Sequence, residues 1–291
     1  MIPLSSYSEE DISSGIVVRE NEHESFIYVC GIVPCRTIRI DDNTILEPVT
    51  PSADPDDMID CFMKNGNGNE FQMGVFISTM RLVTAQIKIT SDNPKELAIL
   101  TWNAQWACIQ ISALLNCDVS WYFQANTSAD KFNSHTRVSM ILPNMYPFPR
   151  TLLTLDESQC CFLEESILTA LKLAEYTEYA NASNALWCYH VHFRPAVQLS
   201  VVWGGIESLF LIDNRIKARL SIAASRFLYG DDSAVDQIKL LYKQARCKAV
   251  HEFANSEDVL FQQSIDLLHD LICMCIKKKA IPDVSRLLME Q

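Results

Sequence analysis

Pro143, Pro147 and Pro149 stand close together near the middle of the chain, and the hydrophobic pattern differs on either side of them. Proline lacks a backbone donor and fixes its own φ, so neither a helix nor a central strand runs through such a cluster cheaply. Before it, short apolar runs alternate or break at Gly and Pro. After it, apolar residues recur every third or fourth position over long stretches. A single core serves roughly 100 to 200 residues, so the 291 residues read as two domains. The expectation is an α+β domain over residues 1–150 followed by an all-α helical bundle over 151–291.

In the first part, residues 1–25 form a polar, acidic lead-in. Phe26–Cys30 and Thr37–Ile40 predict strands, with Gly31 and Pro34 between them. Residues 41–69 carry Pro48, Pro51, Pro55 and an Asn-Gly repeat at 65–68, which predicts loops or a hairpin turn. Phe76-Ile77 and Ala85–Thr90 predict extended chain. Ser91-Asp92-Asn93-Pro94 is a helix start, and the helix should run to about Leu115. Val119–Phe123 and Arg137–Leu142 complete the strands. The aromatic residues are expected in the core rather than on a binding platform.

In the second part, Asp156-Glu157 opens a helix expected to reach about Ala182. Further helices are expected from Pro195 to about Asp213 and from about Arg215 to Tyr229, where Gly230 can cap. Another should start at Ser233, with Asp236 as its capping-box partner, and carry Ile238, Leu241, Ala245 and Ala249 on one face. The last runs from about Ser256 to Lys278, stopped by Pro282.

Composition narrows function by exclusion. A formal charge of −12 argues against a broad surface that coats nucleic acid, because Lys and Arg supply that affinity. Any nucleic-acid chemistry must be local. The eleven cysteines are scattered and odd in number, which reads as buried thiols in a reducing compartment rather than a zinc site. His190 and His192, with Cys188 nearby, lack the acidic or thiol company of a metal centre. No metal and no cofactor is expected. Phosphate-binding glycine loops and Ser/His/Asp signatures are absent. Without a run of eighteen apolar residues or a signal-peptide pattern, the expected location is the cytoplasm, away from membranes.

One place pairs a fixed cation with a group that moves protons near neutral pH: Arg246 and His251, in an R-x4-H spacing. Five steps along an ideal helix turn the side-chain direction by about 140°, so one helix does not bring the two to a common face. Lys243, a turn before, and Arg215 and Arg219, at i and i+4, could touch an RNA backbone, or could be ordinary solvated helix surface. Lys248 belongs to the same basic set. Glu207 is expected as an ion partner of Arg219, Arg226 or Arg246.

Three segments in order, Gly205–Phe210, Arg219–Leu228 and Leu241–His251, resemble the HEPN domain superfamily, and its Apea-like branch most. The resemblance covers about the last third of the chain, from residue 159 onward. It implies a HEPN-like helical bundle that works as a homodimer, in which Arg246 and His251 form half of a composite, metal-independent endoribonuclease site. The implied substrate is RNA, such as tRNA or mRNA, in a toxin or antiviral-defence setting with an antitoxin or regulatory partner. The alternative is a non-catalytic HEPN module for dimerisation or binding. In this chain Cys247 follows the arginine and Glu252 follows the histidine, where the family usually has a polar residue and often a glycine.

Overall fold

The computed structural model describes residues 16–65, 70–141, 151–247 and 258–289. The chain has an N-terminal β-sheet region and a helical C-terminal region. It forms two compact units: one runs through Ile111 and includes Cys117–Leu168, while the other comprises Ser112–Asn116 and the chain from Thr169.

The first unit is built on a six-stranded antiparallel sheet. Its strands are β1 (Glu24–Cys30), β3 (Ile38–Arg39), β4 (Thr44–Pro48), β5 (Val83–Thr90), β6 (Ser120–Ala125) and β7 (Val138–Met140), in the order β3-β4-β5-β1-β6-β7. The central strands are covered on both faces: six of the seven β1 residues and all six of β6 are buried. That is why Phe26–Cys30 reads as a continuous apolar run instead of a clean alternation. A separate two-stranded parallel ladder joins β2 (Ile32–Pro34) to β8 (Leu153–Leu155), with Ile32 opposite Leu153 and Pro34 opposite Leu155.

Besides a helix after β8, three helices belong to the first unit in whole or in large part. They are α1 (Pro55–Asn65), α2 (Glu70–Met80) and α3 (Pro94–Leu115). Phe76 of α2 packs edge-on to Phe123 of β6 at a centroid distance of 4.9 Å and against Phe132 at 5.6 Å. Met58, Cys61, Met80 and Tyr122 fill the same core. The aromatic residues here are framework, as expected.

Two expectations need correction. Residues 41–65 are not loop: they hold β4 and α1. Pro48 ends β4, Pro51 lies in the connection, and Pro55 opens α1, where its missing donor costs nothing. Asp54 caps that helix, its Oδ1 accepting from the Asp56 amide at 2.8 Å. Phe76-Ile77 lies in a helix, not a strand, because tertiary packing decides a short apolar run whose period is ambiguous. The Gly66–Asn69 part of the proposed turn and Pro143, Pro147 and Pro149 lie outside the described residues.

The helical region contains α4 (Glu157–Leu173), whose last turn belongs to the second unit, and then α5 (Thr177–Cys188), α6 (Pro195–Phe210), α7 (Ile216–Tyr229), α8 (Val235–Leu241), α9 (Asp258–Lys278) and α10 (Val284–Met289). The helix expected to reach Ala182 is in fact two, broken at 174–176. Gly205 marks a close approach within the bundle. A Cβ there would lie 2.6 Å from the Ala185 Cβ and 3.2 Å from Leu268 Cδ2. Glycine thus lets α6 meet α5 and α9. Gly230 closes α7 in the left-handed region at φ +85°, and its amide donates to Arg226 O at 3.0 Å.

The segment Val259–Lys278 of α9 is long and apolar enough to cross a membrane by length and composition, with a mean hydropathy of 1.4. Ile265, Leu268, Leu271, Ile272 and Cys275 of this segment are buried core residues of the bundle.

Candidate functional site

The helix expected from Ser233 through His251 does not form as one α-helix. Ser233 makes no capping box. Its amide instead donates to Asp231 Oδ1 at 2.9 Å, and α8 starts two residues later. The following amide, of Ala234, is taken by Ser225 Oγ at 3.0 Å. After Leu241 the backbone changes to π-helical geometry over Tyr242–Cys247. Such i→i+5 segments inside helices recur at functional sites. Here the segment holds both Tyr242 and Arg246.

Tyr242 and Arg246 are four positions apart and converge on one carboxylate. Glu207 Oε1, on α6, accepts from Arg246 Nε at 2.9 Å and from the Tyr242 hydroxyl at 3.0 Å. The guanidinium also lies 5.6 Å from the centroid of the Tyr242 ring. Trp203, one turn before Glu207 and buried, packs edge-on against Tyr242 with ring centroids 5.1 Å apart. Of the three arginines expected as partners for Glu207, the structure selects Arg246. Arg226 instead forms a two-pronged pair with Asp232 and donates to Leu287 O at 2.8 Å. Arg219 donates to Asn214 Oδ1 at 2.7 Å.

The electrostatics follow from this arrangement. Burial opposes the charge on Arg246, and the Glu207 carboxylate more than compensates, so the guanidinium is held even more firmly protonated than usual. Burial, reinforced by the negative charge of Glu207, pushes the Tyr242 phenol well up, which keeps it a hydrogen-bond donor at every physiological pH. About a quarter of the Arg246 side chain remains exposed (23%). Among the described residues its two terminal nitrogens have no hydrogen-bond partner. Among the described residues, Glu207 holds Nε and nothing occupies the forked edge, the edge whose geometry matches a two-oxygen anion.

The remaining site residues are less concentrated. His251 and Lys248 lie outside the described residues, as does Glu252. Lys243 is exposed beside Tyr242. Arg215, also exposed, takes a left-handed conformation at φ +47° as it starts α7, and Arg219 is tied to the loop before that helix. Neither of these two is hydrogen-bonded or paired with the Arg246–Glu207–Tyr242 cluster. A cleft of about 380 Å³ between α8 and α9 is lined by Leu240, Leu241, Gln244, Leu260, Asp266 and Asp270, among others. It contains no Lys or Arg, so it does not attract phosphate. Burial raises the Asp270 carboxyl.

Among the described residues no group of three or more His, Cys, Asp and Glu side chains could hold a metal ion. His190 is buried in the turn Tyr189–Val191, its ring edge-on to Tyr189 at 5.7 Å. The role of Tyr242 went unnoticed in the sequence, although its i,i+4 relation to Arg246 was visible there. All eleven cysteines are free thiols. Comparison with protein-family models, with curated proteins and with solved structures finds no match to this chain.

Proposed function

We propose that the helical region is a HEPN-type, metal-independent endoribonuclease in which Arg246 and His251 act together and a second copy of the chain completes the site. The observation that carries this reading is the anchored arginine: Glu207 holds Nε and the Tyr242 ring lies against the guanidinium, while no described residue occupies the forked edge that suits a phosphate. In the proposed reaction the RNA 2′-oxygen attacks the adjacent phosphorus and the bond to the 5′-oxygen breaks. His251 moves a proton, from the 2′-hydroxyl or to the departing 5′-oxygen. The products are a 2′,3′-cyclic phosphate and a 5′-hydroxyl. The nucleophile belongs to the substrate.

A second reading, a binding or dimerisation module without catalysis, draws support from the same ion pair. A carboxylate 2.9 Å from the arginine already satisfies part of its charge, as a purely structural pair would.

The test is incubation of the full chain with labelled tRNA and a mixed RNA pool in EDTA, alongside Arg246→Ala and His251→Ala. The catalytic reading expects cyclic-phosphate ends from wild type and a loss of about 10²- to 10⁴-fold in either variant. Cleavage that survives both substitutions would overturn it. A dimer by mass measurement that cuts no RNA would favour the binding module.

A further inference from the structure

The first unit brings together two cysteines that the sequence keeps far apart. Cys35 Sγ lies 3.6 Å from Cys160 Sγ. The parallel ladder explains the meeting: β2 and β8 end in register at Pro34 and Leu155, so the residues that follow each strand emerge side by side. After β8 the chain turns at once into α4 through a reciprocal cap. Gln159 N donates to Asp156 Oδ1 at 2.8 Å, and Asp156 N donates to Gln159 Oε1 at 3.1 Å. This fixes Cys160 in the opening turn of the helix, facing the exposed Cys35.

Arg36 then clamps the loop onto α4. Its Nε donates to Glu157 Oε1 at 2.7 Å, its Nη1 reaches Glu164 Oε2 at 2.9 Å, and its Nη2 donates to Cys161 Sγ at 3.4 Å. The Arg39 amide adds a bond to Glu164 Oε1 at 3.0 Å. The two thiols are therefore held in van der Waals contact, and Glu157 Oε2 also accepts from Cys35 Sγ at 3.6 Å.

We infer that Cys35 and Cys160 form a thiol-modification site that takes a low-molecular-weight disulfide and converts it into an internal cross-link. The exposed Cys35, as thiolate, attacks one sulfur of the small disulfide. A mixed disulfide forms and one small thiolate leaves. Cys160 then gives up its proton and attacks the Cys35 sulfur, and the second small thiolate leaves and is protonated. The protein loses two thiol hydrogens and the small disulfide becomes two thiols.

Cys161, adjacent to Cys160, bonds Arg36 Nη2 and Glu157 Oε1, whereas the thiol in contact with Cys35 is that of Cys160. The hydrogen bond to Cys160, with further help from burial and from the Cys160 and Glu157 charges, pushes the Cys35 thiol up to about 11. The rate of the first step should therefore keep rising above about pH 10, where an ordinary thiol has levelled off.

The experiment uses the full chain with glutathione disulfide as the probe, followed by alkylation and mass analysis of unreduced peptides. The expected result is a Cys35–Cys160 cross-link in wild type and in Cys161→Ser, reversed by a dithiol reductant. In Cys160→Ala, glutathione should instead stay on Cys35, at least about tenfold above its level in wild type, because the resolving thiol at high effective concentration is gone. A glutathione adduct that persists on Cys35 in wild type, or a cross-link through Cys161, would overturn the inference. So would the absence of either product in wild type while denatured protein reacts. Cys35→Ser, at an exposed position, checks that loss of the cross-link does not come from misfolding.

Discussion

At the residue scale the decisive side chain is Glu207, because one carboxylate oxygen serves both Arg246 and Tyr242. Glu207→Gln should leave a weaker neutral acceptor and cost about 1 kcal/mol of stability, measured by denaturant titration. If the nuclease reading holds, the same change should lower cleavage by freeing Arg246 to move, with Tyr242→Phe giving a smaller effect. Gly230→Ala should destabilise by about 1 kcal/mol, since alanine at φ +85° is strained where the helix cap needs a left-handed residue. Asp232 gives a pH signature. Its hydrogen bond and charge interaction with Arg226 lower its carboxyl pKa, so the stabilisation is present above the ordinary carboxylate range and is lost as pH falls through the depressed value. Asp232→Asn should therefore be less stable than wild type at neutral pH, and the difference should vanish in strong acid. The sequence could show that Glu207 wanted an arginine but not which one, because three were within plausible reach and only the helix packing separates them.

At the element scale, legibility followed the length of each segment and the clarity of its start signal. The helix from Pro94 to Leu115 could be read to both ends because Asn93 caps it, its Oδ1 accepting from the Lys95 amide at 3.0 Å. The short α1 and α2 were missed since their prolines and apolar runs have two structural meanings. The π-helical segment was illegible for another reason: no residue type marks it, although within it Tyr242 and Arg246 both reach Glu207 while Ala245 stays in the core. Packing also sets the tolerance of the bundle. Gly205→Ala places a methyl 2.6 Å from Ala185, a side chain too short to move aside, and should cost about 1–3 kcal/mol. In the sheet unit, Phe76→Ala should cost about 3–5 kcal/mol, because three aromatic rings lose their shared neighbour. Thermal melts of the two variants would check both.

At the scale of the whole molecule, acidic residues outnumber basic ones enough to give a net charge of −12 and an isoelectric point near 4.9. Solubility should therefore reach its minimum near pH 4.9, where repulsion between copies disappears; turbidity across a pH series would show it. The change from sheet to helix along the chain was readable in the sequence, since the two periods differ. The strand order was not, because nothing local says that β1 pairs with β5 and β6 rather than with its neighbours in sequence. That order bears on how the protein is made. The apolar strand at 24–30 leaves the ribosome with neither partner yet synthesised, and its second partner is complete only at Ala125. At ordinary elongation speeds both of its hydrogen-bonding edges are open for about 3–12 s, until Thr90 is made, and one edge waits for about 5–20 s, until Ala125. For that interval the nascent chain carries the kind of segment that chaperones hold and aggregates recruit.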